Sequence, residues 1–328
     1  MNRFKSFERD LSRVNEDNFE NIALSLFQFQ AKENKVYQKY LTYLGVNIDR
    51  ITTLDQIPFL PISFFKTHDV VTGDWTAEST FYSSSTTGAT PSRHKVKSVQ
   101  EYLNHSIQIF EGFYGPVNDY HIFALLPSYL EREGASLVVM VSHFIKESGS
   151  PYSAFYLNNL SELQAHLKKS HQDRKVLLLG VSFALMDLAE KMELDLSDCI
   201  VMETGGMKGR RVELTRDELH QYLSQRFNVP SIHSEYGMTE LFSQAYSKGQ
   251  GYFQAPSGMK IVVRSINDPF EVLGKGKTGG INVIDLSNIY TCAFVETQDL
   301  GRIRQDGSFE ILGRMDNSDV RGCNLLVG

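Results

Sequence analysis

Apolar residues recur at helical spacing early in the chain. Phe19, Ile22, Leu26 and Phe29 lead on to Val36, Tyr40 and Leu44, which predicts helices over residues 7–44. Pro58, Pro61 and Pro91 then mark an irregular stretch. From about residue 120, short apolar runs alternate with helical patterns. His121–Leu126 precedes a helix near Ala135–Phe144, Val176–Leu179 precedes Phe183–Met192, and Ile200–Met202 precedes Arg216–Phe227. Such alternation predicts βαβ units and a parallel-rich sheet flanked by helices. A further strand is predicted at Pro230–His233. Beyond it, Met259–Val263, Ile281–Ile284, Ala293–Glu296 and Phe309–Leu312 are strand-like and separated by Gly, Asp and Asn. The fold expected is therefore α/β. A nucleotide- and acyl-binding region spans 1–258, and a small β-rich subdomain with a C-terminal tail spans 259–328, the two forming one compact unit.

Composition narrows the classes. Of 328 residues, 41% are hydrophobic and 22% charged, so a sizeable core is available and disorder is not indicated. The net charge is −6 with no basic run, which argues against nucleic acid and against an anionic membrane surface. Cys199, Cys292 and Cys323 are too far apart for a metal-ligand pair, and their odd number argues against a disulfide framework. Reduced thiols in the cytoplasm are the simplest expectation. Met1–Asp10 lacks the pattern of a signal peptide, and no apolar run approaches the ~20 residues of a membrane span. A greasy substrate would need a pocket within the protein.

Ligands of open parallel sheets bind at the carboxyl ends of strands, so the loops there carry the candidate chemistry. Ser83, Ser84, Ser85, Thr86, Thr87 and Gly88 form a hydroxyl-rich loop whose donors can wrap phosphate, although it lacks the Walker pattern. Taken alone, an exposed linker explains it better. Ser234-Glu235-Tyr236-Gly237-Met238-Thr239-Glu240 offers a flat ring, a hydroxyl for phosphate and a hard oxygen ligand for Mg²⁺. A helix N-terminus explains the same residues equally well. Glu296-Thr297-Gln298-Asp299-Leu300-Gly301-Arg302 is followed by Gly313-Arg314-Met315-Asp316. Asp299 can accept from ribose hydroxyls and Arg314 can reach a nucleotide; two ordinary turns are the alternative.

Each motif is weak alone, but their order and spacing resemble the motif series of adenylate-forming enzymes. Ile57–Lys66, Leu126–Arg132, Glu203–Arg210 and Arg321–Cys323 sharpen the resemblance to the acyl-protein synthetase branch, typified by the luminescence acyl-protein synthetases and related to phenylacetate-coenzyme A ligases. The resemblance runs along nearly the whole chain and implies ATP-dependent activation of a carboxylic acid, fatty in kind, as an acyl-adenylate. It implies that Ser83–Gly88 hold ATP phosphates, that Gly205 and Gly206 lie along the adenine, and that Tyr236 with Gly237 lies on its other side. It further implies Thr239 on phosphate, Glu240 on Mg²⁺ and Asp299 on ribose. Cys323 would accept the acyl group and pass it to a partner protein. Ser85 stands where relatives have glycine, which predicts weaker phosphate binding. The chain stops where the family's mobile C-terminal domain would begin, so the N-terminal domain alone is expected.

Three rivals remain. A coenzyme A ligase would use the same adenylate, and a scaffold would keep the fold without turnover. A serine hydrolase or thioesterase would use Ser182 in Leu179-Gly180-Val181-Ser182-Phe183-Ala184, with His220 or His233 as base. A helix cap at Ser182 is the plainer reading of that stretch. Gly274-x-Gly276-x-x-Gly279 matches a dinucleotide fingerprint, but a strand rather than a helix follows it, which favours a turn.

Overall fold

The structure, a computed structural model, describes residues 3–83, 90–126, 134–169, 173–205 and 214–315. Three helices open the chain: α1 (Arg3–Leu11), α2 (Glu16–Glu33) and α3 (Lys35–Tyr43). Asparagines set their limits. Asn15 accepts from the Asp17 and Asn18 N–H groups and caps α2. Asn34 ends α2 in an extended conformation and caps α3 through Val36 and Tyr37, dividing the predicted periodic run in two. Then follow β1 (Leu60–Pro61), α4 (Phe64–Thr67) and the hairpin β2 (Ser79–Tyr82)–β3 (Arg93–Val96).

The alternating region gives α5 (Val99–Tyr114), β4 (Tyr120–Leu125), α6 (Ser136–Ser148), β5 (Ala154–Phe155), α7 (Leu160–Leu167), β6 (Lys175–Val181), α8 (Ser182–Lys191), β7 (Cys199–Thr204), α9 (Arg216–Phe227) and β8 (His233–Tyr236). Six strands complete the fold: β9 (Ala245–Ser247), β10 (Phe253–Gln254), β11 (Met259–Arg264), β12 (Gly279–Asp285), β13 (Phe294–Ile303) and β14 (Phe309–Arg314). One 12-stranded sheet holds all but the β2–β3 hairpin, in the order β11-β12-β13-β14-β10-β9-β8-β7-β6-β4-β5, with β1 beside β13. Pairing is parallel from β5 to β8 and antiparallel from β8 to β11. The expected βαβ alternation is present at β4–α6, β6–α8 and β7–α9.

Two apolar clusters follow this division. One surrounds the parallel strands and includes Phe110, Phe123, Leu177 and Leu185. The other lies between the N-terminal helices and the antiparallel strands and includes Phe27, Tyr37, Ile284 and Phe294. Two buried amides join the helices to the sheet. Gln30 donates to the Asn288 carbonyl and accepts from the Ala293 N–H, while Asn34 donates to the Thr291 carbonyl. Among the described residues no helix is long and apolar enough to cross a membrane.

Several local expectations are corrected. The strand predicted at Pro230–His233 begins only at His233, because Pro230 offers no N–H and the ladder to β7 starts at Met202–His233. No helix follows the Tyr-Gly-Met-Thr-Glu segment, which turns into antiparallel β9, so Thr239 and Glu240 cap nothing. Val181 rather than Ser182 occupies the cap position of α8. Gly274–Gly279 lies between two antiparallel strands with Gly276 at φ 81°, a turn as expected.

Candidate active site

Thr204 and Glu235 are partners in the parallel pair β7–β8, so Gly205 and Tyr236 come next to each other at its carboxyl edge. Gly205 has φ +69°, in the left-handed region that favours glycine. Gly237 is glycine for space: a Cβ there would stand 2.4 Å from the Glu235 carboxyl. The Tyr236 ring is 8% exposed and packs between Phe253 and Phe309. Its hydroxyl donates to Asp299 Oδ2 at 2.8 Å, a contact between residues 63 apart in sequence. Burial and the neighbouring Asp299 push the phenol well above its ordinary range, so it remains a donor.

Asp299 and Arg314 are cross-strand partners on β13 and β14, with Arg314 Nε 3.6 Å from Asp299 Oδ1. Burial pushes the Asp299 acid up, while Tyr236 and Arg314 oppose the shift. A carboxylate has about four lone-pair sites, so partners on both oxygens still leave acceptor capacity for a ligand hydroxyl. The Arg314 side chain is 69% exposed and free to turn toward a ligand.

Glu240 is held by its backbone more than by its side chain. The Glu240 carbonyl accepts from Asn288 Nδ2 at 2.9 Å. The Thr239 carbonyl meets His94 Nδ1 at 2.6 Å, and His94 Nε2 meets the Thr291 hydroxyl at 3.0 Å. A carbonyl only accepts, so Nδ1 carries the proton and the ring is neutral. Burial lowers the His94 pKa to about 4, against the pull of Thr239 and Asp285, which keeps it neutral. Asp285 accepts from the Phe242 and Ser243 N–H groups at 2.8 and 2.9 Å. Residues 239–243 are thus pinned at four backbone atoms.

The Glu240 side chain is 5% exposed in its residue average and bonds to Ser92. Burial raises its pKa; Ser92, Arg314 and Lys66 work against that. Among the described residues no ion pair of the Glu240 side chain occurs, so its charge, when present, is uncompensated by a protein cation at contact. No group of three or more metal-ligating side chains occurs among those residues. Mg²⁺ takes one or two carboxylates and completes its shell with water and phosphate, and Glu240 is a single buried carboxyl of that kind. Ser92 also pairs with Ser83: its N–H donates to Ser83 Oγ at 2.8 Å, and Ser83 N–H donates to the Ser92 carbonyl. Ser83, Ser92, Thr239 and Glu240 are therefore brought together.

Ser84, Ser85, Thr86, Thr87, Gly88, Gly206 and Cys323 lie outside the described residues. Ser182 does not form a triad. Its hydroxyl donates to the Gly205 carbonyl at 2.6 Å, His220 meets Ser234 and Glu203, and His233 meets Tyr114. Sequence reasoning missed Ser92, His94, Asp285 and Asn288. Only Asp285, a carboxylate closing the apolar run Ile281–Ile284, left a signal.

Comparisons with known proteins bear on the fold and the family. Among solved structures, ATP-bound MatB from Rhodopseudomonas palustris gives TM-score 0.54 and 16% identity over 74% of this chain and 50% of that one. The long-chain-fatty-acid-CoA ligase FadD1 from Archaeoglobus fulgidus gives TM-score 0.52 and 18% identity over 72% and 51%. An open conformation of 2-hydroxyisobutyryl-CoA ligase with 2-HIB-AMP and CoA gives TM-score 0.67 and 11% identity over 92% and 76%. The chain spans about half the length of the first two, and at these identities the likeness is one of fold. No curated protein matches it by sequence. Residues 128–328 match the family of the acyl-protein synthetase LuxE, well over half of the chain, and the protein belongs to that family.

Proposed function

We propose that the protein uses ATP to activate a carboxylic acid, fatty in kind, as an acyl-adenylate, and then transfers the acyl group to a protein thiol. The observation that carries this reading is the Tyr236–Asp299 hydrogen bond, which joins two of the three candidate segments at one edge of the sheet. Asp299 would accept from ribose, Gly205, Gly206, Tyr236 and Gly237 would border the base, and Thr239 and Ser83–Gly88 would face phosphate. Glu240 would hold Mg²⁺, whose chemistry there is neutralisation of phosphate charge. The acid's carboxylate attacks the α-phosphorus, the bond to pyrophosphate breaks, and acyl-AMP forms. A thiolate then attacks the acyl carbon and AMP leaves.

Cys323 is the proposed thiol. Burial raises Cys199 to about 11 and Cys292 to about 12, which leaves both poor nucleophiles near neutral pH. The acceptor beyond Cys323 would be a partner protein, and the setting the cytoplasm. Coenzyme A as direct acceptor is the second reading, favoured by neighbours that are CoA ligases.

Pyrophosphate release with ATP and a panel of acids tests the first half; absence of release with every acid counts against it. The second half uses radiolabelled acid, hydroxylamine and peptide mapping. Cys323→Ala is expected to release pyrophosphate yet retain no hydroxylamine-labile label. Label that persists, or maps to Cys199 or Cys292, removes Cys323 from the role. Direct acylation of coenzyme A with no protein label favours the second reading.

A further inference from the structure

Two carboxyls are buried at the carboxyl ends of β7 and β8, Glu203 and Glu235. They are one register step apart on adjacent strands and have very different company. Arg216 lies 3.7 Å and His220 3.5 Å from Glu203, and Ser182 bonds to it. Burial pushes the Glu203 acid up, but His220, Arg216 and Ser234 outweigh it and hold it below the usual range.

Glu235 has no such cation among the described residues. Its neighbours across the ladder are Thr204 on β7 and Tyr246 on β9, and α5 presents Tyr102 and Tyr114 beside Tyr246. Thr204 donates to it at 2.5 Å. Its Oε1 lies directly beneath Gly237, where a Cβ would approach to 2.4 Å, and Gln244 Cγ borders the same space. The buried Gln244 Oε1 and Tyr246 hydroxyl have no hydrogen-bond partner among the described residues. A buried carboxyl that has a single hydroxyl donor, Thr204, and no cation beside it among the described residues is favoured in its neutral form.

We propose that Glu235 is held as a neutral carboxylic acid beneath the Tyr236–Gly237 turn, and that its ionisation opposes binding of the nucleotide triphosphate there. The second clause rests on the nucleotide reading above. Burial raises the Glu235 pKa to about 7; Thr204 works against this and the charge of Glu203 adds to it. Ionisation would place a second negative charge beside Glu203 in a poorly screened interior, under a turn that is to receive an anion. Glu235 is thus a positioning residue, acting on ligand through the turn.

The test compares wild type with Glu235→Gln. Glutamine keeps the shape and cannot ionise. A carboxyl whose folded-state pKa is raised gives stability that is present below about pH 4.5 and lost as pH rises through about 7. Without ligand, the melting temperature of Glu235→Gln relative to wild type is therefore expected to climb between about pH 5 and about pH 8. In calorimetry with MgATP, wild-type affinity is expected to fall roughly fivefold from about pH 6 to about pH 8.5, while the variant changes clearly less. The variant also controls for protonation of ATP itself. A melting difference that stays constant with pH overturns the neutral acid. Wild-type affinity that is flat with pH overturns the coupling, whether or not the variant folds. Failure of ATP to bind at any pH removes the nucleotide reading and the coupling with it, while a pH-dependent melting difference would still support the neutral acid.

Discussion

Strands β4 and β8 lie in the same sheet, three ladders apart, and are both buried. β4 reads Tyr120-His-Ile-Phe-Ala-Leu125 and sits in a continuous apolar cluster. β8 reads His233-Ser-Glu-Tyr236 and buries polar groups, each with a partner: Ser234 with His220, Glu235 with Thr204, Tyr236 with Asp299. β4 contributes apolar burial. β8 stands where parallel pairing gives way to antiparallel pairing, and its polar residues are partnered from α9, β7 and β13. Burying a polar group without a partner costs about 1–3 kcal/mol, so such a strand exists only where the whole network is complete. The candidate site is at this junction because the strand reversal brings β7, β8 and β13 residues to one edge.

Substitutions in the two regions are expected to separate stability from chemistry. Phe123→Ala in β4 is expected to have the largest effect, a loss of about 3–5 kcal/mol in denaturant unfolding, with pyrophosphate release per folded molecule unchanged. A loss of activity beyond the unfolded fraction would tie β4 to the site. Glu240→Gln acts in the opposite way. Pyrophosphate release is expected to fall at least roughly a hundredfold, about 2.7 kcal/mol in the barrier, with the melting temperature nearly unchanged. Normal release from that variant would take Glu240 out of the chemistry.

Asp299→Ala is expected to weaken ATP binding by roughly 1.5–3 kcal/mol, tenfold or more in calorimetry. Unchanged affinity in the folded variant would exclude Asp299 from the ribose. The smallest change is expected from Tyr236→Phe, which removes one donor to Asp299 and leaves the packed ring. About 0.5–1.5 kcal/mol of stability and a severalfold loss of ATP affinity are expected. An affinity loss as large as that of Asp299→Ala would mean that Tyr236 itself carries the binding.

Much of this was legible from the chain alone. Periodicity placed the N-terminal helices, α6, α8, α9 and the strands β4, β6 and β7 within a few residues, because apolar spacing is a local property and each element buries one face, while α5 and α7 went unpredicted. The motif series identified the acyl-protein synthetase family and picked out Tyr236, Glu240, Asp299 and Arg314 as candidates. Where sequence reasoning failed, the missing information was long-range. Pro230–His233 reads as a strand from its apolar content, yet the ladder begins at His233 and runs through polar residues whose partners are up to 63 positions away. Thr239 and Glu240 read as helix caps, yet His94, Asn288 and Asp285, from three other segments, hold that stretch as a turn. Apolar spacing determined many of the elements, and the resemblance carried by the motif series gave the family. Which buried carboxyl is compensated by a cation, as Glu203 is by Arg216, and which is left beneath a glycine, as Glu235 is, only the tertiary structure decided, because the ionisation of a buried group depends on neighbours that the chain brings together from far apart.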